Sequence, residues 1–225
     1  MLIYVLTGYF AEKEGYFMIE LKKNDTVLFI GDSITDCGRD YSNVNNMGGG
    51  YAKFVAATLQ FKVPELDLTF INTGVSGHRV RDLKERWQRD CISYQPSVVS
   101  VLVGINDVWR RYDSNSPVSV EDFTEDYRSM LTDLKENTGA GIIMMEPFLL
   151  SRPENIQHFR EDLDPKIAAV RKLAVEFADV YIPLDGMFAS VSCRRKPQYW
   201  SGDGIHPSDA GHMLIAEAWL KGVAF

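Results

Sequence analysis

Thiols are scarce in this chain, and no two of them are placed to act together. Cys37, Cys91 and Cys193 are an odd number at wide spacings with no CxxC pair, which argues against a disulfide framework and fits reduced thiols in a reducing compartment. Long apolar runs are missing as well. Nowhere do 18 consecutive apolar residues occur, so a membrane-spanning helix is not expected. Basic charge is in deficit, with 24 Lys and Arg against 31 Asp and Glu and a formal charge of −7. Nucleic-acid backbones and anionic membranes both reward Lys and Arg, so neither is the expected partner, and a neutral or small substrate fits better. No metal and no other cofactor is expected, because no second cluster of His or Cys supports a ligand set. There is no internal repeat and no low-complexity linker.

What the chain does have is enough apolar content, 45% of 225 residues, to bury a full core as one domain. Its opening stretch, MLIYVLTGYFAEKEGYFMIEL, starts apolar but lacks a basic n-region and an A-x-A site and meets charge by Glu12 to Glu14. That is a poor signal peptide, so a cytoplasmic location is expected. Two β-rich runs around AEKEG predict a β-hairpin in an N-terminal extension over residues 1–20, ahead of a domain over 21–225. A lone hairpin is marginal in water. Its apolar side chains are therefore expected to pack on their own domain or across a subunit interface in a homo-oligomer. The alternative is that Met18 is the natural start.

From Thr26 onward, short β-branched runs alternate with segments of helical period. The runs are TVLFI (26–30), LTFIN (68–72), SVVSVLV (97–103), GIIMME (141–146) and DVYIPL (179–184). They are continuously apolar rather than alternating, as strands buried on both faces of a parallel sheet are. Between them, Phe123, Tyr127, Leu131 and Leu134 recur at helical spacing behind a Ser119-x-x-Asp122 cap. Leu163 to Phe177 and Ser208 to Leu220 read the same way. The expected architecture is one α/β/α sandwich with about five parallel strands.

In such sheets, sites form beyond the carboxyl ends of the strands, so the residues after each strand carry the functional information. GDS (31–33) follows the first strand, NTGVSG (72–77) the second and GIND (104–107) the third. A serine hydroxyl such as that of Ser33 is a weak nucleophile and needs a base, usually oriented by a carboxylate. Of four histidines, His158 sits among polar residues and His212 lies inside the last helix. His78 follows the second strand and competes for the role. His206, in GDGIHPSDAG, has Asp203 three residues before it, an offset that a tight turn converts into a carboxylate–imidazole contact; it is the favoured base. Acyl transfer also needs donors for a developing oxyanion. The Gly74 N–H in its glycine-rich turn, the Asn106 side-chain amide and the Ser33 N–H supply three from three strand ends.

Each feature has a plainer explanation. Ser and Asp at a strand-to-helix turn are more often caps than catalysts. NTGVSG can be a turn needing positive φ and GIND an Asx-type turn. A phosphate-binding module built on the Ser33 and Gly74 loops is another reading. It leaves Asp203 and His206 idle. The force lies in all four features occurring together, three of them at one sheet edge.

These four blocks, GDS with Ser33, the glycine block with Gly74, GIND with Asn106 and DGIH with Asp203 and His206, resemble those of the SGNH, or GDSL, hydrolase superfamily. The likeness runs from about Leu21 to the C-terminus. It implies a flavodoxin-like sandwich, a Ser33–His206–Asp203 triad and an oxyanion hole from Ser33, Gly74 and Asn106, and the absence of a GxSxG elbow from the sequence fits it. IGDSITDCGR, VRDLKERWQRD and GINDVWRRYD further resemble bacterial intracellular acetylxylan esterases of the GDSL type, which implies an acetylated carbohydrate as substrate. Two features depart from that pattern: the first twenty or so residues, and Gly202 where a bulky residue is expected before the catalytic Asp. Trp109, Tyr112, Tyr199 and Trp200 flank the catalytic segments and can stack on a sugar face. With Asp32, Trp109, Tyr199 and Trp200 are the expected substrate-binding residues. Within the superfamily, a thioesterase or lysophospholipase is the alternative activity.

Overall fold

The continuously apolar runs become the strands of one parallel sheet. The structure, a computed structural model, describes residues 18–150 and 156–225. The expected hairpin lies outside them, apart from the last residues of its extension. There β1 (Ile19–Glu20) pairs in parallel with β7 (Val223–Ala224). The main strands are β2 (Thr26–Gly31), β3 (Thr69–Asn72), β4 (Val98–Leu102), β5 (Gly141–Met145) and β6 (Val180–Ile182). Their order is β3-β2-β4-β5-β6, every pair parallel. That is the flavodoxin-like order of a doubly wound sheet.

Helices fill the crossovers: α1 (Ser33–Asp36), α2 (Tyr51–Lys62), α3 (Val80–Asp90), α4 (Ile105–Asp113), α5 (Val120–Asn137), α6 (Arg160–Phe177), α7 (Leu184–Ser192), α8 (Pro197–Trp200) and α9 (Asp209–Leu220). Strand side chains alternate between the two faces. Val27, Phe29, Val98, Leu102, Ile143 and Met145 pack with Val55 and Leu59 of α2 and Ile215 and Trp219 of α9. Leu28, Ile30, Val99, Val101, Ile142 and Met144 pack with Leu83 of α3, Leu131 of α5 and Leu173 of α6. Each fully buried aliphatic side chain contributes roughly 1.5–3 kcal/mol. The buried indole of Trp219 donates to Ser100 Oγ (3.0 Å) and so fixes α9 on the middle of the sheet.

Two helix starts lie where the sequence marks them. Ser119 Oγ accepts from the Asp122 N–H (3.0 Å), and Ser208 Oγ from the Gly211 N–H (3.3 Å). A third anchor carries no sequence signal. The fully buried Glu146, just past β5, accepts from Arg171 Nε (3.0 Å), the Tyr181 hydroxyl and the Asp185 N–H at the start of α7 (2.9 Å). Among the described residues, no helix is long and apolar enough to cross a membrane.

The chain leaves β2 toward β3 and leaves β4 toward β5, in opposite directions along the sheet. The carboxyl ends of β2 and β4 therefore open a crevice between the diverging connections. Ser33 follows β2, Asn106 follows β4, and Gly74 follows the neighbouring β3.

Candidate active site

Gly31 makes the turn at Ser33 possible. A Cβ there would lie 2.1 Å from the Leu102 carbonyl oxygen and 2.6 Å from Thr35 Oγ1, a clash that no side chain relieves on the backbone side. Asp32 then caps α1, its Oδ1 accepting from the Ile34 N–H (3.0 Å). Asp32, one of the expected substrate-binding residues, is only 1% exposed. Burial pushes its pKa up to about 7, against the lowering effect of the Ile34 N–H and the charge of His206.

The half-buried Ser33 points its Oγ at His206 Nε2, 2.9 Å away. The other ring nitrogen, Nδ1, lies 2.6 Å from Asp203 Oδ2. Asp203 Oδ1 accepts from the backbone N–H groups of Ile205 (2.9 Å) and His206 (2.8 Å) and from the Ser201 hydroxyl (3.1 Å). Partial burial alone would raise the Asp203 pKa. The hydrogen bonds from His206 and from the two backbone N–H groups outweigh it, and the carboxyl is held well below its usual range. The same Asp203 contact raises the His206 pKa. An ionised carboxylate only accepts, so Nδ1 carries the ring proton and Nε2 turns its lone pair toward the Ser33 hydroxyl. The loop that holds this pair is closed by an antiparallel bridge between Ser201 and Pro207 and by the Ser208 N–H on the Trp200 carbonyl (2.8 Å).

The expected donors follow β2, β3 and β4 at one edge of the sheet, with one difference from the sequence reading. The Ser33 N–H has no partner among the described residues. Asn106 lies in the first turn of α4 rather than in an Asx-type turn, and its Nδ2 donates to the His78 carbonyl (3.1 Å), leaving one amide hydrogen over. The Gly74 N–H is outside the strand ladder, as expected, but not idle: it donates to Asn72 Oδ1 (2.9 Å). Asn72 is buried and also donates to the Thr35 carbonyl (2.8 Å). An Asx-type turn thus shapes this loop. A Cβ at Gly74 would lie 2.4 Å from the Asp36 nitrogen, which accounts for glycine at this close approach to α1.

His78, the competing base, is tied elsewhere: its Nδ1 accepts from Arg86 Nε (3.1 Å). His212 is buried in α9, accepts from the Tyr51 N–H (3.2 Å), and has its pKa pushed down to about 4 by burial. The exposed His158 packs edge-on against Tyr112. Of the flanking aromatics, Trp109 stands beside His206, with ring centroids 6.1 Å apart. Tyr112 stacks on Phe159 (4.6 Å). Tyr199 and Trp200 pair with each other, and Trp200 packs against the core.

Sequence reasoning passed over Asp36. Its Oδ2 accepts from the N–H (3.0 Å) and hydroxyl (2.6 Å) of Ser76, and its Oδ1 from the Arg39 N–H (3.1 Å). It binds the glycine-rich loop to α1, and Arg39 Nε adds a bond to the Gly74 carbonyl (2.7 Å). Both residues lie within IGDSITDCGR, but no spacing rule singles them out. No group of three or more His, Cys, Asp or Glu that could hold a metal ion occurs among the described residues.

Similarity to known proteins covers this whole arrangement. The model of the GDSL-like Lipase/Acylhydrolase family matches residues 29–214, a span that contains Ser33, Gly74, Asn106, Asp203 and His206. The acetylxylan esterase of Geobacillus stearothermophilus is 36% identical over 215 residues, 92% of this chain and 97% of that one. Its crystal structure superimposes with a TM-score of 0.83 over the same shares. A structure described as a GDSL-like lipase from Parabacteroides merdae gives a TM-score of 0.86 at 36% identity, covering 91% of this chain and 98% of its own. Variants of the Geobacillus esterase described as catalytic mutants replace a serine, an aspartate and a histidine with alanine, and a further variant replaces the tryptophan directly before that aspartate. A family match from Phe29 to Leu214, joined to this likeness in sequence and fold, places the chain in the GDSL-like lipase/acylhydrolase family as a carboxylic ester hydrolase.

Proposed function

We propose that this esterase removes acetyl groups from carbohydrate esters such as acetylated xylo-oligosaccharides, with Ser33 as nucleophile, His206 as general base and Asp203 as the residue that orients it. The observation that carries the reading is the unbroken contact from Ser33 Oγ to His206 Nε2 (2.9 Å) and from Nδ1 to Asp203 Oδ2 (2.6 Å). The Geobacillus relative supports it: the aspartate and histidine of its catalytic mutants are three residues apart, the spacing of Asp203 and His206. Two variants of it are described as those of an acetyl-xylooligosaccharide esterase, which supports the substrate class.

In the first half-reaction, Ser33 Oγ attacks the acetyl carbonyl carbon while His206 Nε2 takes the hydroxyl proton. The carbonyl oxygen becomes an oxyanion facing the Ser33 N–H and the spare Asn106 amide hydrogen, and the Gly74 N–H turns part of its bond from Asn72 toward it. The sugar oxygen leaves with the proton from His206, giving acetyl-Ser33. Water, deprotonated by His206, then releases acetate. The chemistry uses no metal or cofactor. Trp109, beside His206, offers a face to the departing sugar. The unpaired Cys37, Cys91 and Cys193 support a cytoplasmic setting.

A series of p-nitrophenyl esters of rising chain length, followed by acetylated xylosides, tests the reading. Highest kcat/KM on acetyl esters and on acetylated xylosides is expected. Preference for long acyl-CoA or lysolipid would overturn the substrate, and failure of a fluorophosphonate to label Ser33 would overturn the mechanism.

A further inference from the structure

Arg86 lies on α3, yet it is only 5% exposed and its guanidinium is turned beneath the carboxyl edge of the sheet. A buried cation is costly unless every donor is met, and here the partners are specific. Nη1 donates to the Thr73 carbonyl (2.7 Å) and to Asp90 Oδ2 (2.9 Å), Nη2 to the Gly31 carbonyl (3.3 Å), and Nε to His78 Nδ1 (3.1 Å).

Those partners are the backs of the site. A planar trans peptide directs its C=O and N–H to opposite sides. The Thr73 carbonyl shares its peptide with the Gly74 N–H, so a guanidinium holding that oxygen fixes the N–H facing away from it, on the side where Asn72 Oδ1 receives it. The Gly31 carbonyl shares its peptide with Asp32, the residue before Ser33. The third strand end is reached through His78, whose ring accepts from Arg86 and whose carbonyl accepts from Asn106 Nδ2. A cation hydrogen-bonded to a carbonyl also polarises the N–H of the same peptide, making it a stronger donor.

We propose that Arg86 is a positioning residue for the oxyanion site, locking the Gly74 peptide plane and, through His78, the Asn106 amide from one buried guanidinium. The inference rests on the reading of Ser33, Gly74 and Asn106 as an acyl-transfer site. Arg86 touches no substrate. Its effect falls on a transition state that carries charge on oxygen, and not on the ground-state ester.

The test is steady-state hydrolysis of p-nitrophenyl acetate by Arg86→Lys, His78→Ala and His78→Asn, with fluorophosphonate labelling of wild type alongside. Arg86→Lys keeps the charge but loses the fork, and its kcat should fall by about tenfold to a hundredfold with KM little changed, less than for outright loss of an oxyanion donor. His78→Ala should lower kcat in the same way, and His78→Asn, whose Oδ1 can accept in place of Nδ1, should recover most of that loss. Wild-type kcat in Arg86→Lys, or a change in KM alone, overturns the proposal. Should Arg86→Lys fail to fold, the His78 pair decides: equal kcat in the two overturns it, and recovery in the Asn variant supports it. If wild type is not labelled at Ser33, the acyl-transfer reading itself falls, and this inference with it.

Discussion

Asp203 grips His206 at both ends of the residue: Oδ2 meets the ring at Nδ1 (2.6 Å), and Oδ1 accepts from the His206 backbone N–H (2.8 Å). One carboxylate therefore sets the orientation of the imidazole and of the main chain that carries it. The contact also stabilises the imidazolium, so the His206 pKa is raised from the ordinary 6.5. A base works when neutral. The kcat/KM of the wild type should accordingly rise with pH through an apparent pKa above that value. Replacing Asp203 with Asn should move the limb downward and cost about 10⁴ in kcat, as loss of the orienting charge does in other triads. A pH–rate profile on p-nitrophenyl acetate checks both, and an unmoved limb in Asp203→Asn contradicts the pairing.

Ser33→Ala and His206→Ala should each lower kcat by roughly 10⁴ to 10⁶ without disturbing the fold, because nucleophile and base act as a unit. Circular dichroism and turnover measured on the same preparations separate chemistry from folding. More than about a tenth of wild-type activity in either variant is incompatible with the assignment.

Asn106→Ala should cost about 10² to 10³ in kcat with little change in KM, since its free amide hydrogen meets negative charge only as the reaction proceeds. Kinetics on a short-chain ester decide the matter. An effect confined to KM makes Asn106 a substrate-binding residue instead.

Position 202 stands directly before Asp203, where the Geobacillus esterase carries the tryptophan of one solved variant. A Cβ at Gly202 meets nothing within 4 Å. Gly202→Trp should thus fold normally and add a wall beside the site, lowering kcat/KM for longer acyl chains more than for acetyl. An unchanged chain-length profile argues that position 202 takes no part in selectivity.

Glu146→Ala should destabilise the fold by about 3 kcal/mol, because it strands the Asp185 N–H and the Tyr181 hydroxyl in a partly buried setting. That corresponds to a fall in Tm of roughly 6–12 °C for a chain of this size. Differential scanning calorimetry reads it directly, and a shift under a degree or two would show that water replaces the lost partner.

The sheet was legible because its strands are buried on both faces: TVLFI and SVVSVLV have no polar face to confuse with a helix, and they became β2 and β4 with ends within a residue or two. Ser119 and Ser208 marked their helices through cap chemistry that is local in sequence. The Asp203–His206 pair was legible for the same reason. What escaped was non-local. Nothing in the sequence near Asn72 tells that its amide occupies the Gly74 N–H, nor does the helical pattern of α3 tell that Arg86 turns inward to the ends of β2 and β3. Nor does the sequence tell that the carboxylate of Asp32, beside Ser33, is buried.

The bond between Ser33 and His206 spans 173 residues of chain. At a synthesis rate of about 5–20 residues per second, the ribosome delivers His206 roughly 9–35 s after Ser33. Under the proposed mechanism, the growing polypeptide holds Ser33 throughout that interval without its base, so a half-made enzyme cannot attack esters around it. On that mechanism, hydrolysis begins only when the segment leading into α9 has docked, and the first turnover marks the moment at which Ser33 and His206 meet.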